Sequence, residues 1–151
     1  KGTSESPDAG LATRDTVQVR GDDAVAVVKA FAAYTIVVDK KDGCIPAGKD
    51  RFKVTEIQAL KLPVSVPQFD VCLTVKSAAG REIPATVMIV DPKNQRVAKS
   101  EAILGFHLTD KIDQVLAFPS MTLPLAGQYS YVLQVAGKEV GRVPLFAVVQ
   151  K

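Results

Sequence analysis

His107 is the only histidine in the chain, which bounds the available chemistry at once. Multi-histidine metal sites are excluded, and any histidine-based triad would have to be built on this one ring. It lies in Gly105-Phe106-His107-Leu108-Thr109, near the end of a strand and before a turn, the setting of an ordinary surface histidine. A Cys–His dyad with Cys44 or Cys72 would need a spatial convergence that spacing does not show. The carboxylates are no more suggestive. Asp39-Lys40-Lys41-Asp42-Gly43 has the outline of a calcium loop, but its lysines oppose a cation and its ligand spacing is wrong. It reads as a solvated hairpin turn. Asp110 and Asp113 flank Lys111-Ile112 with no carboxylate partner nearby in sequence. Glu56 and Glu101 would serve glycoside hydrolysis only if distant strands brought them together. The residues argue for a protein with no catalytic group, no cofactor and no metal.

Other classes fall on what is missing. There is no Gly-X-Gly-X-X-Gly and no Walker-type loop to cradle a phosphate. Carbohydrate-binding sandwiches expose aromatic platforms, and this chain has no tryptophan and only three tyrosines. Its 19 basic and 16 acidic residues are well mixed, without the basic face and interleaved aromatics of a nucleic-acid binder. No apolar run reaches the roughly 18 residues of a membrane span, since Lys29 interrupts the longest candidate, Ala24 to Val38. The chain starts with Lys rather than Met, which reads as a processed or trimmed product and leans towards an extracytoplasmic location.

Two cysteines are too few for a disulfide framework or a cysteine-based zinc site. One Cys44–Cys72 bridge and two unpaired thiols both remain open. In Phe69-Asp70-Val71-Cys72-Leu73-Thr74-Val75 the odd positions share an apolar face, which leaves Cys72 opposite with Asp70 and Thr74.

The elements follow from alternation and punctuation. With 151 residues the chain suits a single domain, and its abundant valine favours the pleated sheet. Residues 1–21 read as a polar N-terminal arm or linker, and 22–151 as the β-domain. Within the arm, Thr16-Val17-Gln18-Val19-Arg20 alternates and could pair as an added strand. Asp22 to Phe31 is ambiguous, because Asp22 and Asp23 would cap a helix while the valines favour a strand. Strands are expected at Tyr34 to Val38, Phe52 to Leu60, Phe69 to Lys76, Ile83 to Val90, Arg96 to Phe106, Lys111 to Phe118, Gln128 to Val135 and Val140 to Val149. Short strands at this spacing imply an all-β, antiparallel Greek-key (immunoglobulin-like) sandwich of seven to nine strands. Leu125-Ala126-Gly127-Gln128-Tyr129 fits a tyrosine corner, with the Tyr129 hydroxyl bonded back to the upstream backbone.

From Ala30 to Val148 the chain resembles an uncharacterised bacterial β-sandwich family, a domain of unknown function. The resemblance rests on the turn Asp39 to Gly43, on Leu62-Pro63 to Pro67-Gln68-Phe69, and on Val90-Asp91-Pro92. It continues through Phe118 to Tyr129 and Val135 to Pro144. It implies the fold and supplies no catalytic residue.

Ile83 to Val90 and Val143 to Val149 are apolar on both sides, and such strands need a cover. With the strand-like arm, this points to a non-enzymatic structural or interaction module that self-assembles by β-augmentation, its partner another copy or another protein. The alternative is a monomeric exported domain that binds a small ligand or a partner protein.

Overall fold

Alternating β-branched residues run through most of the chain, and the protein is all-β with several antiparallel sheets. The computed structural model describes residues 25–48, 52–77 and 81–151. The arm segment Thr16–Arg20 lies outside them.

The described residues form twelve strands: β1 (Ala26–Ala33), β2 (Ile36–Asp39), β3 (Gly43–Pro46), β4 (Glu56–Ala59), β5 (Val64–Val66), β6 (Phe69–Lys76), β7 (Arg81–Val90), β8 (Arg96–Phe106), β9 (Lys111–Phe118), β10 (Met121–Leu123), β11 (Gly127–Val135) and β12 (Lys138–Gln150). One sheet has the order β1-β6-β9 and another β4-β12-β11-β7-β8, while β2-β3 and β5-β10 are two-stranded. All pairings are antiparallel except β4 with β12.

The count exceeds the seven to nine expected. Three-residue pairings such as β5–β10 are too short for periodicity to register, and the expected strand Tyr34 to Val38 is one half of the hairpin β2–β3. The ambiguous segment is strand from Ala26 onwards. Packing against β6 outweighs the helix-capping aspartates, because β1 buries Phe31, Ala32 and Ala33 there. The expected strand Phe52 to Leu60 is broken for a topological reason. The Val54 amide donates to the Ala32 carbonyl of β1, and the next carbonyl, Thr55, accepts from Ala147 of β12. The chain crosses from one sheet to the other between these residues and becomes regular only at Glu56.

The two larger sheets share one core. Val71, Leu73 and Val75 of β6 face Ile83, Val87 and Ile89 of β7 and Tyr129, Tyr131 and Leu133 of β11 within a single buried cluster. Four rings stitch it together. Phe118 stacks on Phe69 at 6.0 Å, Phe69 meets Phe146 edge-on at 5.8 Å, and Phe146 stacks on Tyr129 at 5.6 Å. The series runs from β9 through β6 to β12 and β11, crossing the gap between sheets. Each contact adds about 0.5–1.5 kcal/mol beyond area burial.

The outer faces of β7 and β12 are less covered than their apolar sequences suggest. Pro84 and Pro144 are exposed, Thr86 and Met88 are half-buried, and Val149 keeps 37% of its surface. Between them on β11, Val132, flanked in register by Met88 and Arg142, is withdrawn from solvent, as is Val90 at the end of β7.

Turn chemistry sets the register. Asp91 is buried, and its carboxylate accepts from the Lys93 and Gln95 amides, both at 2.9 Å. Gly127 packs on this turn with φ of 126°, and a Cβ there would lie 2.7 Å from Pro92 Cγ. Gly127→Ala therefore combines backbone strain with a clash and should cost about 2 kcal/mol or more in urea unfolding. A cost under about 0.5 kcal/mol would show that the Pro92 turn yields freely.

Tyr131 is fully buried, yet among the described residues its hydroxyl has no hydrogen-bond partner, and burial pushes its ionisation well above the usual tyrosine range. Tyr131→Phe removes an unpaired polar atom, so stability at neutral pH should be unchanged or rise by up to about 1 kcal/mol. A raised folded pKa makes the tyrosine's contribution complete below about pH 10 and lost as pH rises further, so the variant should resist alkaline unfolding better. Urea titrations at neutral and alkaline pH check both expectations. A loss above about 1 kcal/mol at neutral pH would mean that the hydroxyl has a partner.

Candidate functional site

Strand β6 is buried on both faces. Its inward face, Phe69, Val71, Leu73 and Val75, belongs to the main core. Its other face, with Asp70 and Thr74 the polar one by sequence, forms a second small core in which Cys72 and Cys44 pack with Phe31, Ala33 and Ile36. The hairpin β2–β3 covers it, so the assignment of Cys72 to a polar face is corrected. Alternation marks which residues share a face, but not that a second layer lies on it.

Every polar group on that face is engaged. The Asp70 carboxylate accepts the Ile36 amide of β2 at 3.0 Å. Cys72 is joined to Cys44 of β3, with S–S 2.12 Å and Cα–Cα 6.3 Å. The Thr74 hydroxyl donates to the Asp113 carboxylate of β9 at 2.5 Å. The hairpin is thus held on β6 by one hydrogen bond and one covalent bond. Its own turn is set by Asp39, whose carboxylate accepts from the Lys41 and Asp42 amides at 3.2 and 2.9 Å. This is a self-closing turn rather than a calcium loop. Gly43 follows with φ of 77°, and a Cβ there would sit 2.9 Å from Asp113 Oδ2. Only glycine allows the hairpin to close onto that carboxylate.

Beside this clamp opens a recess of about 730 Å³ between β1, the hairpin turn and the start of β9. Its rim carries Lys29, Lys40, Lys41 and Lys111, and the half-exposed Val28 and Val38 form apolar wall. Asp113 and Thr74 lie at its base. Lys29 is also steered by an aromatic face, its ammonium 5.6 Å from the Phe31 ring centre. Cys44, Cys72 and Asp113 bring their ligand-type atoms within 4.8 Å of one another, but as a disulfide the two sulfurs offer no thiolate to a metal.

The other candidates are dispersed. Tyr129 is fully buried, and its hydroxyl accepts from the Leu125 amide at 3.1 Å and donates to the Leu125 carbonyl at 2.8 Å. This closes the turn before β11 and serves structure. His107 pairs with Glu82 at 3.0 Å on open surface, each more than half exposed. It stands apart from both cysteines, which are covalently engaged. Glu56 and Glu101 lie on β4 and β8, the opposite edges of the five-stranded sheet. Four strand spacings separate them by roughly 19 Å, too far for a glycosidase pair.

Strand β8 is the edge strand next to β7. Among the described residues its outer edge has no backbone partner, and Ile103 on it keeps 64% of its surface. In sequence Lys29, Lys40, Lys41, Lys111 and Asp113 are unconnected turn and strand residues, because β1, the hairpin and β9 meet only in space. Thr74 and Asp113 are 39 residues apart.

These features define an all-β domain whose disulfide-clamped hairpin is layered on a three-stranded sheet. The chain belongs to a family of unknown function (DUF6941), whose model matches residues 53–148. No curated relative matches the sequence. Among solved structures, a glycosyl hydrolase family 2 member from Bacteroides cellulosilyticus is similar at 16% identity and TM-score 0.41, over 52% of this chain and 12% of that one. A β-glucuronidase from glycoside hydrolase family 2 is similar at 13% identity and TM-score 0.38, over 54% and 10%. The Pseudomonas fluorescens alkylpurine DNA glycosylase AlkC, bound to DNA containing an abasic site analog, is similar at 12% identity and TM-score 0.40, over 82% and 30%. The chain spans less than a third of each.

The disulfide closes a separation of 28 residues, which corresponds to about 3–4 kcal/mol. Converting Cys44 and Cys72 together to alanine should lower stability by that order in urea unfolding, and reductant should do the same to the native chain. Two titratable thiols in the oxidised protein would contradict this.

Proposed function

We propose that the chain is a non-enzymatic interaction module that assembles by strand addition, with Thr16–Arg20 as donor and the outer edge of β8 as acceptor. The observation that carries the reading is the edge of β8, which is unpartnered among the described residues and, at eleven residues, longer than the eight-residue edge strands β1 and β9. Backbone amides and carbonyls left open along an edge bind an incoming strand, and its alternate side chains decide which strand is accepted. Arg96, Lys99 and Glu101 are exposed on β8. Charges of this kind discourage indiscriminate pairing of apolar strands while tolerating a polar arm. A five-residue donor fits within the open stretch Arg96 to Ala102.

The fold reading that accompanies it is a Greek-key, immunoglobulin-like sandwich. Its support is the shared core of the two larger sheets and the Tyr129–Leu125 corner. The parallel pairing of β4 with β12 is a local departure from that scheme.

A second reading is a monomeric exported domain that binds a small ligand. The buried Cys44–Cys72 disulfide favours an oxidising compartment, and the lysine-rimmed recess offers a concave surface.

The assembly reading predicts that the full chain is oligomeric across a concentration series in light scattering, and that removal of residues 1–20 leaves a folded monomer. A full-length monomer, or an unchanged mass after the deletion, would overturn it.

A further inference from the structure

We infer that the recess beside the disulfide-clamped hairpin binds a small amphiphilic anion, a molecule with one carboxylate or phosphate head and a short apolar tail. The inference rests on the second reading above and names the class of ligand. The charge pattern sets the head group. Lys29, Lys40, Lys41 and Lys111 face the recess, and none forms an ion pair among the described residues. Three carboxylates share the lining, and two already have internal partners. Asp39 accepts two amides of its own turn, and Asp113 accepts the Thr74 hydroxyl. All three carboxylates keep their charge, so four ammonium groups face three carboxylates and the lining is net positive by one. An anion placed among them gains charge-assisted hydrogen bonds and relieves the repulsion between neighbouring lysines.

The walls set the tail. Val28 and Val38 leave 51% and 56% of their surfaces open at the recess, an uncommon degree for valines within strands. A chain of a few methylenes lying against them would remove that surface from water. The volume of about 730 Å³ is of the size that small-molecule sites show. The floor is also preformed. The disulfide and the Asp70–Ile36 bond hold the hairpin against β6, so little ordering cost falls on binding.

Calorimetric titration of the full chain tests this with octyl phosphate, octanoate, inorganic phosphate and octyl glucoside, each below its micelle-forming concentration. The expected result is one-to-one binding of octyl phosphate or octanoate, at least about tenfold tighter than inorganic phosphate or octyl glucoside. Whichever of the two binds better assigns the head group. The Lys40→Gln, Lys111→Gln double variant should keep its thermal midpoint and lose about tenfold in affinity. Equal affinity for octyl glucoside would overturn the anion assignment while leaving a small-ligand site in place. Undiminished binding by the double variant would overturn the recess as the site. Failure of all four to bind would overturn the inference together with the small-ligand reading, and would leave the assembly reading untouched.

Discussion

The burial of β6 on both faces is the constraint from which the rest of the structure follows. An antiparallel strand usually packs one face and wets the other. Here Val71, Leu73 and Val75 fill the space between the larger sheets, while Cys72 and Thr74 on the reverse face are just as dry. A second layer must cover that face, and it must satisfy the polar atoms there. The hairpin β2–β3 does both, through Ile36 with Asp70 and Cys44 with Cys72. On the other side the ring series Phe118–Phe69–Phe146–Tyr129 ties β6 across to β12 and β11.

This layering explains where surface is left for function. The hairpin covers Cys72 and closes on Asp113, leaving a recess between its charged turn, β1 and the start of β9. The lysines of three separate elements converge there because none of them is needed in the core. Strand β8 ends the five-stranded sheet, and among the described residues no strand is hydrogen-bonded to its outer edge. Cover at one place and exposure at the other have the same origin, a chain that spends its short strands on the reverse of β6.

Much of the fold was legible in the residues. Phe69–Lys76, Arg96–Phe106 and Lys111–Phe118 are strands over the spans that alternation and turn residues indicate; β6 buries a complete period-two face, while β8 and β9 bury the end of theirs, at Leu104 and Phe106 and at Leu116 and Phe118. Gly127 before Tyr129 marked the corner through its turn chemistry. The family resemblance is matched by membership over residues 53–148. The second layer was not legible, since Asp70, Cys72 and Thr74 look like a solvent face until something is laid over them. Nor was the sheet change at Val54 and Thr55, where hydrogen bonds to Ala32 and Ala147 switch between adjacent residues without any proline or glycine to announce it. The recess was invisible for a simpler reason. Its lysines are ordinary surface residues one by one, and only the fold collects them.

Whether the β8 edge receives a strand is decided by amide hydrogen exchange of β8. Exchange should be followed residue by residue from Arg96 to Ala102, at dilute and concentrated protein. Strand addition predicts that every second amide of this stretch slows as concentration rises, while the amides already bonded to β7 stay slow throughout. Amides that exchange at the same rate at both concentrations would contradict it.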